Sequence, residues 1–237
     1  MRFPAELMKG RLIKRYKRFL ADIVLEDGQE VTAHCANPGS MMGLKDPGMT
    51  VWVSPAKDPK RKLKYDLQLI EADDTLVAIN TGNPNKLVEE AILDGTIKEL
   101  DGYETLRREV KYGKASRIDI LLSGGEDGRA DCYVEVKNVH LLRAPGLIEF
   151  PDSVTARGAK HLGELADMVD EGYRAVMVYL VQRGDGREFR LADDLDPVYA
   201  TAFVDARKRG VEALVYDSVI ALDEIRVRGP LPLIEPA

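Results

Sequence analysis

The sequence predicts a small β-barrel followed by an α/β domain of order αβββαβ, and three observations lead there. Short alternating apolar runs broken by turn residues fill residues 10–79, a pattern that favours a barrel. The polar, turn-forming segment Asn80-Thr81-Gly82-Asn83-Pro84-Asn85 then interrupts the chain. Beyond it, helix-length periodicities alternate with strands, and Ala175–Val181 is almost unbroken in apolar character, as expected of a strand covered on both faces. A chain of 237 residues with 45% hydrophobic content can bury two cores. The expected domains are residues 1–82 and 83–237.

In the first domain, strands are expected at Arg11–Ile13, Phe19–Leu25, Val31–Cys35, Thr50–Val53, Leu63–Ala72 and Leu76–Ile79. The Asp27-Gly28 turn and the Asn37-Pro38-Gly39-Ser40 bend punctuate them. Five or so strands is the size of an OB-type barrel, a form that commonly binds single-stranded nucleic acid.

In the second domain, Lys86–Ile97 reads as a helix with Leu87, Val88, Ala91 and Ile92 on its apolar side. Strands follow at Leu106–Tyr112, at Ser116–Leu122 and around Glu135, with the turn-rich Ser123–Gly128 joining the last two as a hairpin. In the Asp119 strand, Ile118, Ile120 and Leu122 are expected on one face and Asp119 on the other. Asp152-Ser153 offers N-cap chemistry for a helix to about Glu171, stopped by Gly172. Asp196-Pro197 opens another that Gly210 ends, and Val211–Ile220 and Glu224–Val227 close the domain as strands.

Cys35 and Cys132 are too few and too far apart for a disulfide framework or a metal-spacing pair, which points to a reducing compartment. The N-terminus has no signal-like apolar core, and no window reaches the roughly 20 apolar residues of a membrane span. A cytoplasmic protein is expected. The net charge of −6 argues against indiscriminate coating of nucleic acid, yet it is unevenly spread. Residues 1–84 hold 13 Lys+Arg against 11 Asp+Glu, whereas residues 85–237 hold 21 against 29. Lys9, Arg11, Lys14, Arg15, Lys17 and Arg18, interleaved with Tyr16 and Phe19, form one basic cluster; Lys57, Lys60, Arg61, Lys62 and Lys64 form another. Together they suit a phosphate-binding surface.

The chemistry concentrates at Asp119 and, sixteen residues on, Glu135-Val136-Lys137. In a strand, residues i and i+2 share a face, so Glu135 and Lys137 lie side by side while Val136 turns into the core. Across the hairpin Asp119 is expected opposite Glu135. Carboxylate oxygens suit a hard cation, so Mg2+ (or Mn2+) is the expected cofactor, held by Asp119, Glu135 and the Val136 carbonyl. Such an ion polarises a phosphate and activates water, and Lys137 is placed to position that water or stabilise charge on the transition state. Arg157 and His161 are i and i+4 on one helix face with Lys160 beside it, and are candidate phosphate contacts. Asn37 and Ser40 have groups able to bind phosphate, although a bend needs these residue types for its own backbone. Gln182, at the end of the buried strand, is a candidate to orient substrate or water.

An αβββαβ order with Asp on the second strand and Glu-x-Lys on the third resembles the core of the PD-(D/E)XK nucleases. That resemblance implies a further glutamate from the first helix, Glu89 or Glu90. The segments Cys35–Met41, Arg117–Asp119, Tyr133–Val139, Phe150–Leu162 and Val181–Arg183 are more specifically similar to the signature segments of the sugar fermentation stimulation protein A (SfsA) family. This resemblance implies an N-terminal OB-fold domain, a nuclease-like C-terminal domain and DNA binding. The expected partner is DNA, whether single-stranded, duplex or branched; a homodimer is left open, and no membrane is called for. The expected function is DNA binding with an Mg-dependent phosphodiesterase, endonuclease-like site. The alternative is a non-catalytic DNA-binding transcriptional regulator of sugar metabolism genes.

Overall fold

The computed structural model describes residues 1–113 and 116–236. Six strands build the first domain: β1 (Met8–Tyr16), β2 (Leu20–Leu25), β3 (Glu30–His34), β4 (Thr50–Pro55), β5 (Tyr65–Ala72) and β6 (Thr75–Ala78). They run in the order β3-β2-β1-β4-β5-β6, and a parallel β3–β5 pairing closes the first five into an OB barrel. Alternation decides the interior: Leu12, Ala21, Ile23, Ala33, Val51, Val53 and Leu67 point inward and are buried. Gly10 lets β1 and β2 come close, since a Cβ there would lie 2.6 Å from the Val24 carbonyl oxygen and 2.7 Å from Ile23 Cγ2.

The second domain begins with α1 (Pro84–Leu93), which starts at a proline in its first turn. It ends four residues short of the expected Ile97, where Asp94 and Gly95 close it and Gly95 has φ +76°. Strands β7 (Tyr103–Tyr112), β8 (Ser116–Gly125) and β9 (Cys132–Val139) follow, the β8–β9 turn falling later than expected because β8 runs on to Gly125. The remaining elements are β10 (Leu141–Ala144), β11 (Leu147–Phe150), α2 (Ala156–Asp170), β12 (Arg174–Val181), β13 (Glu188–Leu191), α3 (Pro197–Lys208), β14 (Glu212–Ile220), β15 (Ile225–Pro230) and β16 (Leu233–Ile234).

The main sheet has the order β15-β14-β12-β9-β8-β7, with β12 parallel to both neighbours and fully buried from Ala175 to Val181. Leu87, Val88, Ala91 and Ile92 of α1 pack on one face against Ile120, Val134, Val136 and Val178. Leu162, Leu165 and Phe203 of α2 and α3 cover the other against Met177, Tyr179 and Val139. Trp52 and Leu69 point outward from the barrel into the α1-side core, so the domains share a hydrophobic layer. Leu7 belongs to that layer, and the Met1 ammonium donates to the Ile225 carbonyl at 2.7 Å, which places the first residues against the second domain.

Two further expectations need correction. The α2 cap is Thr155, whose Oγ1 accepts from the Gly158 amide at 3.1 Å. Asp152 is committed elsewhere: its carboxylate accepts from the Met41 amide at 3.0 Å and its carbonyl from Ser40 Oγ at 2.7 Å. In β8, Ile120 and Leu122 share one face, the α1 side, but Ile118, expected with them, joins the α2-side core. The β7–β8 ladder is interrupted there: Arg108 pairs with Ile120 and Val110 with Ile118, while Glu109 between them has φ +54°. No helix among the described residues is long and apolar enough to cross a membrane.

Candidate active site

Asp119 and Glu135 meet where β8 and β9 part. The last ladder pair on this side is Ile120 with Val134, so one step further sets Asp119 opposite Glu135. The ladder is replaced there by a side-chain contact, with the Val136 amide donating to Asp119 Oδ2 at 2.8 Å. Asn85, in the first turn of α1, donates to Asp119 Oδ1 at 2.7 Å. Lys137 shares the face of Glu135 as the period of a strand requires, and its Nζ donates to Glu135 Oε1 at 2.7 Å. His161 approaches the same oxygen from α2 through Nδ1. Arg157 Nε donates to His161 Nε2 at 3.2 Å, so the neutral ring carries its proton on Nδ1, toward Glu135. These groups line a cavity of about 340 Å3 together with Pro38 and Thr81 from the barrel side.

Electrostatics divides the two carboxylates. Burial pushes the Asp119 pKa up, and the neighbouring Glu135 charge adds to it; the Val136 amide, Lys137 and Asn85 oppose. Burial also pushes Glu135 up, but hydrogen bonds from His161 and Lys137 and the charge of Lys137 outweigh it and hold its pKa below the ordinary value. Glu135 is 3% exposed, and its Oε2 is buried with no hydrogen-bond partner among the described residues. An unpaired, ionised oxygen in such a place fits a cation. The oxygen-only donors of Asp119, Glu135 and the Val136 main chain fit a hard one such as magnesium, which keeps much of its shell as water and substrate oxygens. Among the described residues no group of three or more His, Cys, Asp or Glu is placed to hold a metal.

The first-helix glutamates lie elsewhere. Glu89 pairs with Arg108 at 3.2 Å, and Glu90 with the Met1 ammonium at 2.7 Å and Lys86 at 3.6 Å. Asn85 is one helical turn before Glu89 on the same face, and that turn is the one that reaches Asp119. The signal for it was the Asn83-Pro84 helix start, which puts residue 85 in the first turn. Gln182 is 1% exposed and does not line the cavity; its main chain links domains by accepting from the Ala78 amide at 2.9 Å.

The basic residues separate into committed and exposed groups. Arg15 Nη2 donates to the carbonyls of Arg18, Asn37 and Gly39 at 2.9, 2.7 and 3.0 Å, so it holds the bend. Asn37 is buried, donating to the Ile79 carbonyl at 3.1 Å and accepting from the Gly39 amide at 2.9 Å, while Ser40 is tied to Asp152. Arg61 grips Asp66 with two bonds of 3.0 and 2.9 Å. Lys160 reaches Ser116 Oγ at 3.0 Å and Glu164 at 3.3 Å. Lys64 Nζ donates to the Pro59 carbonyl at 2.6 Å, and Lys14 lies 3.6 Å from Asp22 and over the Tyr16 ring. Lys17, Lys60 and Lys62 are exposed, and Arg18 lies over Phe19 with one bond of 3.3 Å to the Pro38 carbonyl. A groove on the barrel joins Tyr16 to Lys62, Lys64 and Tyr65, so parts of the two basic clusters share one surface.

Comparison with known proteins gives the family of the chain. Residues 13–79 match the SfsA N-terminal OB domain, and residues 82–224 match the sugar fermentation stimulation protein RE domain. A sugar fermentation stimulation protein homolog of Maricaulis maris is 53% identical over 98% of this chain and 97% of its own length. One from Rhodospirillum rubrum is 55% identical over the full length of both. The structure of Pyrococcus furiosus SfsA, described as a complex with Ca2+, superposes with a TM-score of 0.88 at 26% identity, covering 99% of this chain and 98% of that one. With both halves matched in order and its relatives matched end to end, the chain belongs to the SfsA family.

Proposed function

We propose that this protein engages DNA along the basic, aromatic side of its barrel and hydrolyses a phosphodiester bond at the Asp119–Glu135 pair with a bound magnesium or manganese ion. One observation carries the reading: Asp119, Glu135 and Lys137 converge in one cavity, with an unpaired buried oxygen on Glu135. Asp119, Glu135 and the Val136 carbonyl would hold the ion, which supplies charge neutralisation at the phosphate and a bound water of lowered pKa. The calcium in the Pyrococcus furiosus relative supports a site for a divalent cation of this kind. Asn85 and the Val136 amide fix the orientation of the Asp119 carboxylate. His161, itself held by Arg157, does the same for Glu135. The Lys137 ammonium sits beside the pair, where it stabilises negative charge gathering on the phosphate oxygens. On the barrel, Tyr16, Tyr65 and Phe19 offer faces for stacking, and Lys17, Arg18 and Lys62 offer charge to the backbone.

The test incubates supercoiled, single-stranded and branched DNA with the protein and magnesium or manganese, beside Lys137→Ala. Wild type is expected to cut at least one of them and the variant none. Equal cutting by the variant removes Lys137 from the chemistry. DNA retention without cutting by wild type would instead describe a non-catalytic DNA-binding regulator.

A further inference from the structure

Positive charge is also concentrated inside the acidic second domain. Residues 106–118, where β7 ends and β8 begins, hold Arg107, Arg108, Lys111, Lys114 and Arg117 against the single acid Glu109. Arg108 is paired with Glu89 at 3.2 Å. Lys111 and Arg117 are exposed, and their side chains make no ion pair or hydrogen bond among the described residues. They are also directly opposite each other in the β7–β8 ladder. Opposed residues of an antiparallel pair share a face with their Cβ atoms about 4.5–5.5 Å apart, and like charges placed so are destabilising. The adjoining pair, Val110 and Ile118, packs on the α2-side core, so the two cations stand on the other face. Asp119, two residues on from Arg117, is turned to Asn85 and the Val136 amide. Lys160 reaches the same end of β8 through Ser116 Oγ, but Glu164 shares its charge at 3.3 Å. The uncompensated charge is that of the strand pair.

Topology sets this pair across the carboxylates from the barrel. β6 meets the second domain beside the end of β12, through the Val77–Arg183 bridge and the bond from the Ala78 amide to the Gln182 carbonyl. From β12 the sheet runs on through β9 and β8 to β7, so Glu135 on β9 and Asp119 on β8 lie between the barrel and the Lys111–Arg117 pair. Arg117 is at most about 7 Å from Asp119 along the strand, a length that corresponds to about one or two nucleotides of a nucleic-acid strand. We infer that Lys111 and Arg117 form a second phosphate-binding site, which takes the backbone of the strand after it has passed from the barrel over the Asp119–Glu135 pair. A phosphate between the two cations relieves their repulsion, and neither side chain has another partner in the fold. The inference rests on the DNA reading above and adds the side on which the strand leaves the site.

Fluorescence anisotropy of an end-labelled single-stranded oligonucleotide, titrated with the protein over a series of salt concentrations and with EDTA present to prevent cutting, tests it. In the double variant Lys111→Gln, Arg117→Gln the slope of log affinity against log salt is expected to be shallower than wild type by about 1.4, the loss of two phosphate contacts. Its affinity at low salt is expected to fall several-fold, while its urea midpoint stays level or rises because the repulsion is gone. Arg117→Lys, which keeps the charge, is expected to bind about as well as wild type. If the double variant fails to fold by circular dichroism, Arg117→Gln alone decides, with half the change in slope. A wild-type slope in a folded Gln variant, or a loss of binding matched by a loss of stability, overturns the second site and leaves DNA binding standing. No anisotropy change with wild type overturns both.

Discussion

At the scale of single residues, the Asp119 carboxylate is positioned by neighbours that sequence spacing alone did not single out. Asn85 holds one oxygen and the Val136 amide the other. Groups that orient a metal ligand typically change affinity or activity about 10–100-fold when removed, so Asn85→Ala is expected to weaken divalent-cation binding by about that factor. Isothermal titration with Mn2+ measures it, and an unchanged affinity would show that Asn85 does not tune the site. Arg15 is a different case, because its guanidinium serves three main-chain carbonyls. Arg15→Ala is expected to cost about 1–3 kcal/mol of stability in urea unfolding. Lys17→Ala, at an exposed position, is expected to leave stability within about 0.5 kcal/mol and to weaken DNA retention with a reduced salt dependence. These paired outcomes separate a basic residue that builds the bend from one available to a phosphate.

At the scale of elements, α2 begins where Thr155 caps it, and the same junction uses Asp196, which accepts from the amides of both Thr155 and Tyr199. Thr155→Ala is expected to cost about 1 kcal/mol, whereas Ser153→Ala, outside the cap, should cost almost nothing; thermal melting compares them. The sequence identified long, strongly patterned elements well. The all-apolar Ala175–Val181 and the Leu87, Val88, Ala91, Ile92 stripe of α1 each carry their own signal over several residues. The small sheet β10-β11-β13-β16 was not legible, because its strands are two to four residues long and acquire their identity from partners distant in sequence. Asp119, Glu135 and Lys137 were legible because strand periodicity fixes who shares a face. Asn85 was not, since its role depends on how far α1 reaches toward β8, a distance no periodicity encodes. The commitment of Arg61 to Asp66, and of Arg15 to the bend, likewise depends on folded geometry that a count of positive charges leaves out.

At the scale of the molecule, the seam between domains is built from both hydrophobic and polar contacts. Trp52 and Leu69 enter the α1-side core, and Ser40 and Met41 bond to Asp152. The two domains are therefore expected to unfold in one cooperative transition, and separate calorimetric transitions would contradict it. Burial pushes the Asp152 pKa up, but His140 and the Met41 amide outweigh it and bring it down to about 2 from 3.8. A carboxylate depressed in the folded state stabilises above its unfolded pKa and loses that contribution as pH falls through the folded value. Wild type is thus expected to lose about 2 kcal/mol between pH 4 and pH 2 that Asp152→Asn does not lose, as measured by denaturant titration at each pH; parallel acid limbs would refute it. The close fit of the bend has one more consequence. A Cβ at Gly39 would sit 2.5 Å from Asp152 Oδ2, so the seam leaves no room for a side chain. The barrel groove and the carboxylate pair therefore stand at a set separation. Under the DNA reading proposed above, the protein would act as a gauge, and a strand lying on both would have to do the bending itself.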